Sequence, residues 1–145
     1  MLFKDDLDFL SNFYPNYLHW KGTIWPTVEH AFQAAKCRWP EDEETIRKAP
    51  SPAIAKHIGR KVLLRNDWEK IKVDVMTDLV WLKFDQSTEL REKLLDTYGR
   101  CGQYLEEGNY WHDNFWGNCF CKKCEKVRGQ NVLGIILMAV REDNS

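Results

Sequence analysis

Trp25-Pro26-Thr27-Val28-Glu29-His30-Ala31-Phe32-Gln33-Ala34-Ala35-Lys36 is the stretch from which the rest of the chain can be read. Thr27 is a helix N-cap residue, and Val28, Phe32, Ala35 and Trp39 then recur at helical spacing, with Pro40 as the stop. Glu29, Gln33 and Lys36 fall on one face beside that apolar stripe. Glu29 lies in the first turn, at the positive end of the helix dipole. Two readings stand for this face. One is a solvated polar surface with a Glu–Lys pairing. The other, suggested by the bulky Trp25-Pro26 that precedes it, puts the carboxylate at a pocket wall.

Upstream, Tyr17, Leu18 and Trp20 are separated from Thr23, Ile24 and Trp25 by Lys21-Gly22, which predicts a hairpin. Downstream, a short acidic helix is expected over 41–48. Ser51-Pro52 opens another that Gly59 ends. Asn66-Asp67-Trp68-Glu69 resembles a capping box at the head of the longest helix, with Trp68, Ile71, Val75, Leu79 and Leu82 on its inner face. Ser87 caps a helix carrying Leu90, Leu94 and Leu95, and a last helix carries Leu133, Ile136, Leu137 and Val140. Between them, residues 99–131 read as irregular and rich in Gly, Asn and aromatics. Long irregular segments in a compact domain are usually functional. The site is therefore expected where 11–36 and 104–131 meet.

The 145 residues suit one domain, 1–145, and the balance of 43% hydrophobic to 30% charged residues excludes a disordered chain. Net charge is −1, too little for nucleic-acid binding through phosphates alone; a single phosphorylated ligand remains open. The acidic start, Lys4-Asp5-Asp6, predicts no signal peptide, and no apolar run approaches membrane-spanning length. Five cysteines, an odd number without secretory context, point to a cytoplasmic location. The seven tryptophans serve either core packing or stacking on a flat ligand.

A second group of acids lies at Leu105-Glu106-Glu107 and in Trp111-His112-Asp113-Asn114-Phe115-Trp116-Gly117. Carboxyls among aromatics can hold or deliver a proton near neutral pH; the plainer reading is a surface loop with packed rings. Cys119, Cys121 and Cys124 have spacing that could supply three thiolates to zinc, with His112 as a fourth ligand. The usual structural site has two separated ligand pairs, so the expectation is no metal and free thiols in a basic loop.

In order along the chain, Phe9-Leu10-Ser11-Asn12-Phe13, the block from Trp25 to Lys36, Gly59-Arg60, Arg65-Asn66-Asp67-Trp68, Lys83-Phe84-Asp85-Gln86, Leu105-Glu106-Glu107, Asp113-Asn114-Phe115-Trp116-Gly117 and Gly129-Gln130-Asn131-Val132-Leu133-Gly134 resemble the NADAR family, also called YbiA-like proteins. That resemblance implies a single compact, helix-rich α+β domain with a small β element and an N-glycosidase that needs no cofactor. Its substrates would be small and nucleotide-like, in first place the phosphoribosylamino pyrimidines of riboflavin synthesis. Alternatives are ADP-ribosyl-guanine in modified DNA, with Lys122, Lys123, Lys126 and Arg128 as phosphate contacts, or an ADP-ribose or NAD-binding module without catalysis. A zinc-knuckle interaction protein is a further alternative. The sequence sets no oligomeric state. Two departures bear on substrate rather than reaction. Ala35 stands where members closest to the bacterial riboflavin enzyme have glutamine, and the Cys119–Cys124 insert is absent there.

Cleaving a ribosyl C–N bond builds an oxocarbenium-like charge on the sugar. Glu29 is assigned to that charge, and Asp113 and Glu107 to activating water or protonating the leaving nitrogen. Trp116, with Gly117 beside it, would wall the sugar or stack on the base; Asn12 and Asn131 would bind ribose hydroxyls; Lys36 and Arg60 would hold phosphate.

Overall fold

The computed structural model describes residues 2–102 and 104–145; Met1 and Gln103, the latter within the segment read as irregular, lie outside the described residues. Two compact units emerge, a first formed by Asn12–Gln86 and a second by Met1–Ser11 with Ser87–Ser145.

The first unit begins with the expected hairpin. Strands β1 (Leu18–Trp20) and β2 (Thr23–Trp25) pair antiparallel in the register Leu18↔Trp25, His19↔Ile24, Trp20↔Thr23. Both loop residues have positive φ, 51° at Lys21 and 74° at Gly22. That is the signature of a type I′ turn, whose twist matches the strands it joins. Helix α1 (Val28–Ala35) follows, and Thr27, in extended conformation, accepts the His30 N–H at 3.1 Å. The His30 ring is used at both nitrogens. Nδ1 pairs with the Thr27 hydroxyl at 2.8 Å, and Nε2 donates to the Ala49 carbonyl at 3.0 Å. Every residue of α1 is buried.

Around α1 pack α2 (Pro40–Arg47), α3 (Pro52–Gly59) and α4 (Trp68–Asp85). Ser51 caps α3 as expected, accepting the Ile54 N–H at 3.2 Å. Three expectations need correction. Pro40 does not stop the helix of Glu29, which already ends at Ala35. It occupies the first turn of α2, where its missing N–H is no loss, and Trp39 sits half-exposed at the N-cap. Backbone bonds from Arg38 to Leu63 (2.9 Å) and from Arg65 to Lys36 (2.9 Å) hold the intervening chain. Asp67 does not cap α4; its carboxylate takes Arg65 Nε at 2.6 Å and Nη2 at 3.1 Å. Finally, the buried face of α4 is Trp68, Met76, Leu79, Val80, Lys83 and Phe84, sharing only Trp68 and Leu79 with the expected stripe. A stripe sought through apolar residues alone misses one that runs through a lysine.

In the second unit a 3-10 turn over Asp5–Leu10 buries Phe9 and Leu10, a feature absent from the sequence reading. Helix α5 (Thr88–Cys101) is capped by Ser87, which accepts the Leu90 N–H at 3.2 Å. Strands β3 (Gly108–Asn109) and β4 (Asn118–Cys119) form a two-residue parallel pair. Helix α6 (Val132–Asp143) buries Leu133, Ile136, Leu137 and Val140 as expected, and also Arg141. The Arg141 guanidinium donates to Thr97 Oγ1 at 2.8 Å and stacks 3.9 Å from the Tyr98 ring centre. Each unit is thus helix-rich with a minimal β element, the α+β class expected. Among the described residues no helix is long and apolar enough to cross a membrane.

The Thr27 hydroxyl serves both a backbone N–H and the buried His30 ring. Thr27→Ala should lower unfolding free energy by about 1–2 kcal/mol, and Thr27→Ser should recover most of it. Chemical denaturation midpoints at unchanged slope check this.

Candidate active site

The expected site residues fall in two sets, one in each unit. In the first unit α1 carries Glu29, Gln33 and Lys36. Glu29 is only 7% exposed, so the solvated-face reading is overturned. Its carboxylate Oε1 accepts from Gln33 Nε2 at 2.8 Å, one helical turn on. Its backbone N–H, a donor that the helix itself leaves over, goes to the Asn12 carbonyl at 3.1 Å. Asn12 therefore meets this segment through its main chain, while its side-chain amide lies 3.5 Å from Met76 Sδ.

Lys36, at the end of α1, is half-buried, and its ammonium is held below the ordinary lysine value. Burial is the main cause; Glu29 opposes it, and Arg60 and Lys56 add to it by like-charge repulsion. Lys36 thus feels one buried acid and two further cations, Lys56 on α3 and Arg60 at its end. Gly59 makes this approach possible: a Cβ there would lie 2.0 Å from Gln33 Oε1 and 3.0 Å from Lys36 Cε. Trp20, Trp25, Ala34 and Ala35 line an open cleft together with Glu43 and Arg65, and Glu29 is not among its lining residues.

In the second unit the irregular segment is wired by asparagine side chains. Asn109 is fully buried; Oδ1 accepts the N–H groups of Trp111 (3.3 Å) and Asp113 (3.2 Å), and Nδ2 donates to the Asp113 carbonyl (2.8 Å). Asp113 Oδ1 in turn accepts from the N–H groups of Phe115 (3.0 Å) and Trp116 (2.9 Å), which orients the carboxylate towards Trp116's backbone. Trp116 and Phe115 stack edge to face at 4.8 Å.

Asn131 is 2% exposed and left-handed (φ 51°). Its Oδ1 accepts the Glu107 N–H at 2.9 Å and its Nδ2 donates to the Leu105 carbonyl at 2.9 Å. The amide expected on a ribose hydroxyl instead ties Leu105-Glu106-Glu107 to the head of α6. Gly117 is likewise explained by packing, because a Cβ there would lie 2.3 Å from the Glu107 carbonyl oxygen. So Glu107, Gly117 and Asn131 are brought together, and Asp113 and Trp116 are brought together, within this one unit.

Two residues escaped sequence reasoning. Lys83, 1% exposed on α4, places its ammonium 5.3 Å from the Phe84 ring centre and 5.7 Å from that of Tyr14. Lys56 joins the Lys36–Arg60 group. A lysine in a helix reads as solvent-facing, and only the buried turn-to-turn neighbours Val80 and Phe84 betray Lys83. Next to the second set, beginning at the residue before Asp113, His112, Cys119, Cys121 and Cys124 bring four potential metal-ligand atoms within 4.8 Å of one another.

The first unit holds a buried acid near cations, and the second holds acids on a segment wired by amide side chains. Comparison with known proteins identifies the family. The NADAR domain model matches residues 2–143. The N-glycosidase YbiA of Escherichia coli is 37% identical over 142 residues, covering 96% of this chain and 82% of the relative. The solution structure of E. coli YbiA superposes with a TM-score of 0.81, covering 96% of this chain and 79% of that one. A riboflavin biosynthesis protein of Vibrio vulnificus is 37% identical over 137 residues, 93% of this chain but 35% of that longer protein. The chain belongs to the NADAR family, and it is a hydrolase of the N-glycosidase class.

The structural and chemical parts of Asp113 can be separated. Asp113→Asn keeps an acceptor for the two N–H groups and should leave the melting temperature nearly unchanged. Asp113→Ala removes it and should lower stability by about 1–3 kcal/mol. Thermal denaturation of the two variants side by side checks this.

Proposed function

We propose that the substrate is a phosphorylated N-riboside, in first place a phosphoribosylamino pyrimidine of the kind handled in riboflavin synthesis. One observation carries the reading: the half-buried Lys36, which packs against Gly59 beside Arg60, has Glu29, Arg60 and Lys56 among the charges that act on it. Cations repel one another, and the half-buried Lys36 is already strained towards neutrality by burial. A phosphate dianion would add to the attraction that Glu29 already exerts on the ammonium and offset both burial and repulsion, so the group suits a ligand that brings negative charge on one arm. The riboflavin-related name of the Vibrio relative supports the same choice.

In this reading Glu29 faces the positive charge that grows on the sugar as the C–N bond lengthens. Its place in the first turn of α1 favours the ionised form, and Gln33 Nε2 fixes the oxygen that it binds. Asp113 and Glu107 are the candidates for activating water and for protonating the departing nitrogen. Asp113 has one oxygen held by two N–H groups, which suits the role of orienting water. Trp116 is the candidate ring for excluding other water. ADP-ribosylated guanine in DNA is the competing substrate, with the exposed Lys122, Lys123, Lys126 and Arg128 as its phosphate contacts.

The deciding experiment incubates the protein with a phosphoribosylamino pyrimidine and with ADP-ribosylated DNA in parallel, and follows freed base and sugar phosphate by mass spectrometry. Turnover of the first alone supports the proposal; turnover of the DNA alone overturns it. Glu29→Gln, which keeps the Gln33 contact, should fold normally and lose at least ~10²-fold in kcat; a folded variant with full turnover removes Glu29 from the mechanism. Because the Lys36 ammonium is held below the ordinary value of 10.5, kcat/KM for the phosphorylated substrate should fall as pH rises through that lowered value. Lys36→Arg should push this alkaline limb upward, since a guanidinium keeps its proton.

A further inference from the structure

We propose that His112 Nδ1 and the thiolates of Cys119, Cys121 and Cys124 bind one zinc ion in a closed, tetrahedral structural site. The four ligand atoms lie within 4.8 Å of one another, and Nδ1 stands 3.3 Å from Cys121 Sγ, 3.5 Å from Cys124 Sγ and 3.9 Å from Cys119 Sγ. With Zn–S near 2.3 Å and Zn–N near 2.0–2.1 Å, a tetrahedron has N···S edges of about 3.5 Å. The three distances straddle that edge length.

Hydrogen bonding cannot account for the arrangement. An imidazole nitrogen has one lone pair or one proton, so it satisfies one thiol, not three. Disulfide pairing does not account for it either, because three sulfurs make at most one bridge and no bridge needs the ring. Side chains converge on a single point from four directions when something at that point binds them all.

The local backbone is shaped for the same end. His112 adopts the left-handed region (φ 70°), which is uncommon for any residue but glycine. In that conformation its own N–H donates to Cys119 Sγ at 3.3 Å while its ring turns to the same cluster. Backbone N–H groups on a ligating sulfur are the usual outer partners of a metal thiolate. Cys121 and Cys124 are the ends of one tight turn, closed by the Cys124 N–H on the Cys121 carbonyl at 3.1 Å. Cys119, the last residue of β4, is positioned by Asn114 Oδ1 on its N–H at 2.9 Å. Binding replaces three S–H protons by one Zn²⁺, releases the protons to solvent and leaves a net charge of −1, which the neighbouring exposed Lys122 and Lys123 offset. Four protein ligands leave no open position, so the ion holds structure rather than performs chemistry. What it holds is the segment from His112 to Cys124, and Asp113 is the residue next to the histidine ligand.

Cys37 is a different kind of cysteine. It is buried, burial pushes its thiol up to about 12, and it stands outside the cluster.

The test is elemental analysis of untagged protein purified under reducing conditions without added metal, together with the cobalt(II) spectrum after exchange. The expected result is about one zinc per chain and intense sulfur-to-cobalt charge-transfer bands with tetrahedral d–d absorption. Cys121→Ser with Cys124→Ser should reduce zinc to below about 0.1 per chain, whereas His112→Cys, which offers a fourth thiolate, should retain it. Should the double variant fail to fold, the cobalt spectrum of the wild-type protein decides alone. Fully reduced protein that takes up neither zinc nor cobalt overturns the proposal. So does a disulfide within the cluster found by mass spectrometry, iron in place of zinc, or zinc that survives in the double variant.

Discussion

Helix α1 buries all eight of its residues, and three of them, Glu29, His30 and Gln33, are polar. A polar group taken from water without a partner costs about 1–3 kcal/mol, and a charge more. The first unit meets most of that demand, leaving Gln33 Oε1 as a buried oxygen without a hydrogen-bond partner. Thr27 and the Ala49 carbonyl serve His30, Gln33 serves Glu29, and the Asn12 carbonyl serves the leftover N–H of Glu29. Because those partners come from the hairpin end, from the α2–α3 connection and from α1 itself, satisfying the helix also fixes where its neighbours run. The acid is consequently placed by the fold. It does not hang from a surface, and the geometry that stabilises the unit is the geometry that holds the carboxyl in place.

The second unit meets the same demand by other means. Its irregular segment has only a two-residue parallel pair, far too little ladder to absorb the backbone donors and acceptors between α5 and α6. Asparagine amides take over. Asn109, Asn114, Asn118 and Asn131 accept N–H groups of Trp111 and Asp113, of Cys119, of Gly129 and of Glu107. Asparagine is suited to this, since one short side chain offers both an acceptor and two donors at a fixed spacing. A stretch that looks loose by composition is therefore cross-braced, which is what acids such as Asp113 and Glu107 need if they are to act in one orientation.

Local signals in the sequence translated well. Lys21-Gly22 made its hairpin, Thr27, Ser51 and Ser87 capped their helices, and the four apolar residues of α6 all went inside. These rest on the backbone's own rules, which act over a turn or two. What was hidden depends on partners remote in sequence. The box read at 66–69 gives way to Asp67 at the N-cap position, its carboxylate claimed by Arg65. Lys83 and Arg141 carry charge, yet their helices bury them. The candidate site residues divided in the same way. One helix face carries Glu29 and its partner Gln33, with Lys36 just beyond, so their proximity was legible. The bonds of the Asn131 amide to Glu107 and Leu105 join residues more than twenty positions apart and were not. The cysteines suggested a metal, yet the usual rule of two separated ligand pairs argued against one. His112 belongs to the cluster through a left-handed backbone turn that spacing alone does not reveal.

The proposed zinc and the asparagine bracing would act on the same stretch by different chemistry. An amide secures one or two backbone groups and yields under modest load, each bond contributing about 1 kcal/mol net. A four-ligand zinc draws together residues spread over His112 to Cys124 with an affinity that belongs to folding itself. The amides on Asn109 and Asn114 meet the cluster at its edges, for Asn109 holds the N–H of Asp113 and Asn114 holds that of Cys119. Asp113 is thereby fixed from three sides: by Asn109, by the N–H groups of Phe115 and Trp116, and by its histidine neighbour. In the role proposed for Asp113, a carboxylate restrained in this way would lose little freedom when a substrate arrives, because its orientation is settled during folding. The parts of this chain that are least regular in secondary structure are, on these grounds, among its most constrained.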